Sequence, residues 1–299
     1  MGNDARVAVL VANLRSRGTS QLYARARTLL AQRGIVIEES HEVSTAERLR
    51  KRVRRAIRAG HELVVVGGGD GSFTTVVGEF AHREAVLGVL PFGTGNSFAR
   101  SLGIPPILER AVDTIANGKV ARVDLGVVNG RYFANFATIG LSSTIARRTP
   151  SWLKKALGPA AYVAAGIVPL LQSSAFESEL QWKRGRLRLS THQLIVANGR
   201  YYGLVPLAPD ATIVDGTLSV FTTEDLSRWD VARMFVAFSR GVQTRLAEAT
   251  SLTTSSLTVR TNPKQPLDVD GEALGRTPAH FAVATKALRV LVPPDFTGR

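Results

Sequence analysis

A single acid, Asp70, interrupts a glycine loop that follows an apolar run, in the stretch "VVVGGGDGSFTT" (Val64–Thr75). The apolar run predicts a buried strand, and the residues after the loop predict a helix. Such a loop leaves backbone N–H groups free, and the helix N-terminus adds partial positive charge, so the place suits a phosphate group. The loop matches neither G-x-x-x-x-G-K-S/T nor G-x-G-x-x-G, so neither common nucleotide motif explains it.

Two further polar turns follow predicted strands. The stretch "PFGTGNSFARSLGIP" (Pro91–Pro105) is a second glycine-rich turn that opens a helix and carries Thr94 and Asn96, and the first strand ends in "ANLRSRGTS" (Ala12–Ser20). Because the carboxyl ends of parallel strands meet at one edge of a sheet, the three loops are expected to face a single crevice. This crevice is the predicted ligand site.

A cluster of acids lies near the end of the chain, in "DVDGE" (Asp268–Glu272). If the segment is one strand, alternation would put Asp268, Asp270 and Glu272 on the same face, unless Gly271 turns the chain before the last of them. A solvated hairpin would also tolerate this composition. The sequence therefore leaves open whether these acids act together.

The elements that must position these residues fall into two groups. Strand-like and helix-like runs alternate over about the first 125 residues, which predicts a parallel sheet covered by helices. A hairpin turning on Asn129-Gly130 follows, and strand-like runs then dominate. The predicted fold class is thus an N-terminal α/β domain (residues 1–124) and a mainly antiparallel β domain (residues 125–299), with the option that the last strand returns to the first domain.

Composition narrows the class of protein. The 299 residues are 44% apolar and 21% charged, as in a globular protein, and they include no cysteine, which excludes disulfides and fits a reducing compartment. The N-terminus lacks a signal-peptide layout, and the apolar segment Pro159–Leu171 is too short to cross a bilayer. The net charge of +14 suggests a polyanionic partner (nucleic acid, anionic lipid or a phosphorylated substrate) or simply an arginine-rich proteome.

The motifs together resemble those of the diacylglycerol kinase/sphingosine kinase superfamily, especially its compact bacterial lipid kinases. The resemblance rests on "GGGDGSFTTVV" and "LPFGTGNSFARSLGIP" and continues, in the family's order, with "VDLGVVNGRYFANFATIGL", "VANGRYYGLVPLAPDATIVDGTLSVF" and "LDVDGEAL". It implies an ATP-binding α/β domain similar to that of NAD kinase and phosphofructokinase, followed by a β-sandwich domain. It further implies Mg²⁺-dependent transfer of the ATP γ-phosphate to a lipid hydroxyl in the cleft between the domains.

The resemblance also implies roles for individual residues. Asp70 and Asp124 match acids of the family's metal–water network, whereas Ser97 stands where bacterial diacylglycerol kinases often have a further Asp. Asp70 could instead cap the helix that follows it, and Asp124 could form a turn before Gly126. The implied nucleotide-binding residues are Asn13, Ser16, Ser44 (or Thr45), Gly68, Gly69, Gly71, Ser72, Thr94 and Asn96.

The implied general base for the lipid hydroxyl is Glu272, with Asp270 as the alternative. Asp215 resembles a structural Mg²⁺ site of the bacterial members, with backbone oxygens of Thr212 and Thr217 as further ligands. An ordinary Asp-Gly turn would explain the same residues.

A kinase of membrane lipids must dock on an anionic membrane surface, and two segments suit this task. "RLRKRVRRAIR" (Arg48–Arg58) puts its cations on one side of a helix, and "RRTPSWLKKALG" (Arg147–Gly158) mixes aromatic and basic residues. The first could also be a solvated surface helix, and the second could pack into a core. We expect a cytoplasmic protein, transiently bound to the inner face of the membrane and without a specific nucleic-acid partner; exposed strand edges would allow a homodimer.

Two other functions remain to be compared with a lipid kinase. NAD kinase shares a G-G-D-G loop, but no stretch resembles its second Asn/Glu-containing signature. A catalytically inactive nucleotide- or lipid-binding relative is disfavoured by the intact Asp70, Thr94, Asn96 and Glu272, although Ser97 leaves it open.

Overall fold

The structure is a computed structural model that describes residues 6–14, 17–140, 174–202, 205–206, 211–222 and 251–298. Its helices are α1 (Arg17–Gln32), α2 (Ala46–Arg58), α3 (Asp70–Phe80), α4 (Ser97–Ser101) and α5 (Leu108–Asn117). Its strands are β1 (Val7–Asn13), β2 (Val36–Val43), β3 (Leu63–Gly68), β4 (Val86–Pro91), β5 (Lys119–Val128), β6 (Arg131–Phe133), β7 (Phe136–Gly140), β8 (Phe176–Trp182), β9 (Gly185–Thr191), β10 (Gln193–Ala197), β11 (Tyr201–Tyr202), β12 (Val205–Pro206), β13 (Leu218–Thr222), β14 (Ser251–Thr254), β15 (Ser256–Asn262), β16 (Pro266–Val269), β17 (Glu272–Arg276) and β18 (Ala279–Val292).

The first four strands form a parallel array in the order β2-β1-β3-β4. Strands β3 and β4 are buried along their whole length, which explains their unbroken apolar runs. Helix α2 packs against α3, and α1 packs against α5. The glycine loops after β3 and β4 therefore lie side by side at the carboxyl edge of the array, as the sequence predicts.

The last strand, β18, continues this array. Val290 pairs in parallel with Leu87 of β4, and β18 runs antiparallel to β5 along most of its length. The pairing is interrupted between Ala284 and Leu288, where Lys286 has a left-handed backbone (φ +52°). The first half of β18 pairs with β15, so one strand serves both parts of the molecule. A domain division at residue 124 stays a prediction.

The β-rich part is a sandwich of two antiparallel layers. One layer continues the first sheet through β18-β15-β8-β9, and the other has the order β14-β13-β10-β7-β16-β17. A second hydrophobic core lies between them, with Leu180 and Val259 from one layer and Ile139 and Val196 from the other. The predicted fold class, an α/β domain and an antiparallel β-sandwich, is confirmed.

Two tight hairpins have the left-handed pair of residues that two-residue turns require. Asn129-Gly130 (φ +48° and +81°) joins β5 to β6, as predicted, and Asp270-Gly271 (φ +46° and +86°) joins β16 to β17. The second hairpin shows that the acids of residues 268–272 do not share one strand face. Gly271 turns the chain, and Glu272 begins the returning strand.

Several predicted features lie outside the described residues. They are Ser16, the proposed membrane segment Arg147–Gly158 and the predicted helix at 151–173. Among the helices that the structure describes, none has the length and apolar character needed to cross a membrane.

Candidate active site

The two glycine loops touch each other through their backbones. A Cβ atom on Gly93 would lie 2.6 Å from the Cα atom of Gly69, and Phe92 N donates to Gly68 O (2.9 Å). A Cβ atom on Gly68 would overlap the side chain of Ser72. Packing therefore requires glycine at 68 and 93, whereas a Cβ atom on Gly69 would make a tight contact of 3.2 Å with the Cα atom of Gly93. Gly71 differs, because a Cβ atom there would meet nothing within 4 Å, so the open space of the loop lies at the first turn of α3.

Asp70 joins the two loops. Its Oδ1 accepts from Phe98 N (3.1 Å) and its Oδ2 from Ser97 Oγ (3.3 Å). The carboxylate thus caps α4 across the crevice. Helix α3, which Asp70 begins, has Gly69 as its N-cap and so has no side-chain cap. Ser97, which stands in place of the family's further acid, is one of its partners.

Asn96 shapes the second loop. Its Oδ1 accepts from Gly93 N (3.0 Å), its Nδ2 donates to Gly93 O (2.7 Å), and its own φ is +48°. Asparagine is among the few residues that tolerate this backbone region. Both amide atoms are thus bonded within the loop, which indicates a structural role beside the predicted nucleotide contact.

The remaining predicted nucleotide residues border the same edge. Asn13, at the end of β1, donates from Nδ2 to Ser72 Oγ (3.1 Å), and among the described residues its buried Oδ1 has no partner. Thr94 and Ser44 are exposed. Thr45, the alternative to Ser44, caps α2 by accepting from Arg48 N (3.3 Å).

Asp270 occupies a ring of donors. Its carboxylate accepts from the successive backbone N–H groups of Ala134, Asn135 and Phe136 (3.1, 3.2 and 2.9 Å) and from Thr74 Oγ1 (2.7 Å). Successive N–H groups of this kind form an anion-binding concavity. Asp270 is 9% exposed. The alternative of a solvated hairpin is therefore wrong for Asp270, because its carboxylate is buried.

Burial raises the pKa of Asp270 to about 6, from an ordinary value of 3.8. The hydrogen bonds from Phe136, Thr74 and Ala134 oppose this rise in pKa, and the negative charge of Asp70 adds to it. The carboxyl group is hence mostly ionised at neutral pH and becomes protonated in mildly acidic solution.

Glu272 has a more open environment. Its Oε2 pairs with the guanidinium of Arg131, and its Oε1 lies 3.5 Å from Thr75 Oγ1. The Glu272 side chain is 37% exposed. Glu272 therefore keeps lone pairs that a hydroxyl group can approach, whereas the oxygens of Asp270 are filled by donors.

Helix α3 brings these acids together. Asp70 is its first residue, and the neighbouring Thr74 and Thr75 contact Asp270 and Glu272. Arg131 completes the group, and sequence reasoning missed it. The only signal was its position directly after the Asn129-Gly130 turn, which says nothing about Glu272, 141 residues away.

Asp124 lies where β18 is interrupted. Its Oδ1 accepts from Lys286 N and its Oδ2 from Gly216 N, both at 2.7 Å, and the residue is 3% exposed. It thereby fixes the bulge of β18 and the turn at 215–216. The geometry assigns it a structural role, and its part in a metal–water network stays a prediction.

The predicted metal site at Asp215 is a hydrogen-bonded turn. Asp215 accepts from the backbone N–H groups of Thr212 and Thr217 (3.0 and 2.9 Å) and from their hydroxyl groups (3.1 and 2.6 Å). This arrangement fits a turn better than a cation site, because the threonines point donors at the carboxylate. Within the described part of the chain, no group of three or more His, Asp or Glu side chains is placed to hold a metal ion.

Asp70 fits a magnesium ion better. Its carboxylate is partly exposed beside the open space at Gly71. Mg²⁺ commonly binds through one or two carboxylates together with substrate phosphates. A single acid at this place is therefore sufficient if the phosphates supply the other oxygens.

A charged cavity of about 430 Å³ lies elsewhere, between the ends of α2 and α3 and the starts of β3 and β4. Its lining mixes cations such as Arg58 and Arg289 with acids such as Glu79 and Glu84. It is at the opposite edge of the parallel array from Asp70. Asp70 and the glycine loops, which suit phosphate chemistry, lie outside this cavity. We therefore place the candidate site at Asp70, not in the cavity.

Two glycine substitutions separate packing from ligand binding. Gly93→Ala should lower the free energy of unfolding by about 2 kcal/mol, because the new methyl group meets the backbone of Gly69.

Gly71→Ala should leave the melting temperature unchanged or higher, because its space is open and alanine favours helix. It should nevertheless weaken ATP binding, measured by titration calorimetry. If the Gly71→Ala variant bound ATP as tightly as the wild-type protein does, the phosphates would have to bind elsewhere.

The chain is similar in sequence and in fold to proteins named diacylglycerol kinase. The family model "Diacylglycerol kinase catalytic domain" matches residues 7–128, and "YegS C-terminal NAD kinase beta sandwich-like domain" matches residues 136–292. "Diacylglycerol kinase" of Staphylococcus epidermidis is 30% identical over 247 residues, which cover 81% of this chain and 77% of that protein. "Diacylglycerol kinase" of Staphylococcus saprophyticus is likewise 30% identical, covering 81% and 80%. A crystal structure of a diacylglycerol kinase from Bacillus anthracis str. Sterne has the same fold, with a TM-score of 0.76 at 22% identity and 97% of each chain covered.

Proposed function

Because the chain belongs to the diacylglycerol kinase-like lipid kinase family, we propose that it transfers the γ-phosphate of ATP to a hydroxyl group of a membrane lipid. The proposal rests mainly on the arrangement at α3, where the glycine loop and the β16–β17 hairpin meet. There the open helix N-terminus at Gly71 adjoins the partly exposed carboxylate of Glu272, which can accept a proton.

The triphosphate is assigned to the first turn of α3. The open face at Gly71 lets phosphate oxygens approach the helix N-terminus, and the helix dipole favours their negative charge. Asp70 would hold Mg²⁺ against the phosphates, and this ion supplies charge neutralisation when bound. Asn96 and the packed glycines keep the second loop in place beside it.

Glu272 is assigned the role of general base. The lipid hydroxyl oxygen forms a bond to the γ-phosphorus, the bond from that phosphorus to the β–γ bridging oxygen breaks, and ADP leaves. The hydroxyl proton passes to Glu272 Oε1, the oxygen not paired with Arg131. Asp270, with its oxygens filled, fixes the hairpin that presents Glu272.

The acceptor class is a diacylglycerol-like lipid or another amphiphilic alcohol at the cytoplasmic membrane surface. The curated relatives are named diacylglycerol kinase, which favours a lipid acceptor over NAD. Ser97 at the position of a family acid is compatible with activity, because its hydroxyl group bonds Asp70 directly.

The test is transfer of labelled phosphate from ATP, with Mg²⁺, to a panel of lipids in mixed micelles. The panel contains diacylglycerol, monoacylglycerol, ceramide and a sphingoid base, and NAD is assayed separately. We expect label in one lipid class for the wild-type protein and none for Asp70→Ala. Label in NAD, or ATP binding without transfer to any lipid, would contradict the proposal.

A further inference from the structure

Helix α2 carries an uninterrupted row of cations that the proposed chemistry does not use. The row, called here the basic stripe, consists of Arg48, Lys51, Arg52, Arg55 and Arg58. Its spacing of i, i+3, i+4, i+7 and i+10 puts all five within a sector of about 120° over a length of about 15 Å, at 100° and 1.5 Å per residue. The helix buries Leu49, Val53 and Ala56 on another side.

The other two arginines of α2 serve the fold. Arg50 Nε donates to Thr75 O (3.2 Å), and Arg54 holds both oxygens of Glu79 (2.9 and 2.7 Å). These contacts tie α2 to α3. No member of the basic stripe forms an ion pair with any residue that the structure describes.

Glu39 and Glu47 are the acids near the first four cations of the basic stripe, whereas Arg58 shares the charged cavity with Glu62, Glu79 and Glu84. Glu47 is the acid of the helix's first turn. Glu39, which lies near Arg55, accepts from His41, and Glu79, which lies near Arg58, is held by Arg54. Along its first four cations, the stripe therefore presents a net positive edge.

Such a row is unfavourable for the helix itself. Like charges three and four residues apart repel each other, and Arg48 lies in the first turn, where the helix dipole disfavours a cation. The apolar side of α2 is buried in the protein, so the helix has no apolar face left to insert into a bilayer. A partner with a high density of negative charge would offset the repulsion without insertion.

We propose that the basic stripe docks the protein on the anionic headgroups of a lipid bilayer. The inference rests on the proposed function, because a lipid acceptor must be reached in a membrane. The stripe begins one turn after Thr45, at the edge where Leu14 N bonds Val43 O (2.7 Å) beside the glycine loops. Docking through the first turns of α2 would bring a bilayer near the carboxyl edge of the parallel array, where Asp70 lies, whereas Arg58 lies at the opposite edge beside the charged cavity.

The test is co-sedimentation with vesicles of phosphatidylcholine, with and without phosphatidylglycerol, in the absence of ATP. Arg52→Gln/Arg55→Gln removes two charges from the middle of the stripe. Arg186→Gln/Arg188→Gln removes two charges from β9, where both arginines pair with Glu179. We expect binding to phosphatidylglycerol vesicles to fall about 25-fold in the stripe variant, at roughly fivefold per cation, and little in the β9 variant.

Added salt should release the wild-type protein, because the contact is electrostatic. If the two variants lost vesicle binding equally, only net charge would matter and the proposal would be wrong. It would also be wrong if the stripe variant bound vesicles as tightly as the wild-type protein. Loss of duplex DNA binding without loss of vesicle binding would assign the stripe to nucleic acid instead. Because the assay needs no phosphate transfer, its outcome is independent of whether the kinase assignment holds. Equal melting temperatures establish that the variants are folded.

Discussion

Replacing Glu272 by glutamine is expected to lower kcat for phosphate transfer by about 10²- to 10⁴-fold, the range typical of losing a general base. Glutamine keeps the shape of the side chain but cannot take the hydroxyl proton. Because we assign the nucleotide to the loops around Gly71, KM for ATP should stay near the wild-type value. Initial rates with the lipid that the wild-type protein phosphorylates measure both quantities.

Glu179→Gln is the matched control for this substitution. Glu179 also pairs with arginines on a strand, Arg186 and Arg188, but on the outer part of the sandwich. It should retain wild-type kcat. If Glu272→Gln lost only a few-fold in kcat while Asp270→Asn abolished transfer, the base would be Asp270 and our assignment would be wrong.

Replacing Asp270 by alanine is expected to lower the free energy of unfolding by about 3 kcal/mol or more at pH 7. The substitution leaves the N–H groups of Ala134, Asn135 and Phe136 and the hydroxyl of Thr74 without their shared acceptor. Buried donors that lose their partner cost about 1–3 kcal/mol each, although not additively. Urea denaturation of both proteins gives the difference.

The difference should also depend on pH. The pKa of Asp270 is about 6 in the folded protein and is raised from an ordinary 3.8. The folded state therefore holds this proton more tightly than the unfolded state, and its contribution to stability falls as pH rises from about 4 to about 6. The gap between wild type and Asp270→Ala should accordingly be about 1 kcal/mol larger at pH 5 than at pH 8. A gap that widens towards pH 8 would mean that the hydrogen bonds outweigh burial.

Local patterns were sufficient to predict much of the fold. The apolar run that ends in Gly68 and the glycines after it fix a strand, a loop and a helix within a dozen residues. The Asn129-Gly130 turn is equally local, since only a few residue pairs favour its backbone. The neighbouring positions of the two glycine loops follow from the geometry of parallel strands, which needs no knowledge of side chains.

The contacts of the acids could not be predicted in this way. Asp270 meets Thr74 across 196 positions of the sequence, and no period or motif encodes that pairing. The glycines at 69 and 93 show the same limit, because a loop that binds phosphate and a loop that packs on another loop have the same composition. Arg131 became visible only when β6 was placed beside the β16–β17 hairpin.

The course of β18 has a consequence for how the protein acquires its structure. This strand lies between β4 and β15 and pairs with β5, so the α/β half lacks an interior strand until residues 279–292 have been synthesised. During synthesis, the edge of β4 would remain unpaired until β18 has been made. Contacts this distant in sequence slow folding. The parallel array is therefore expected to be complete only after the end of the chain has been synthesised.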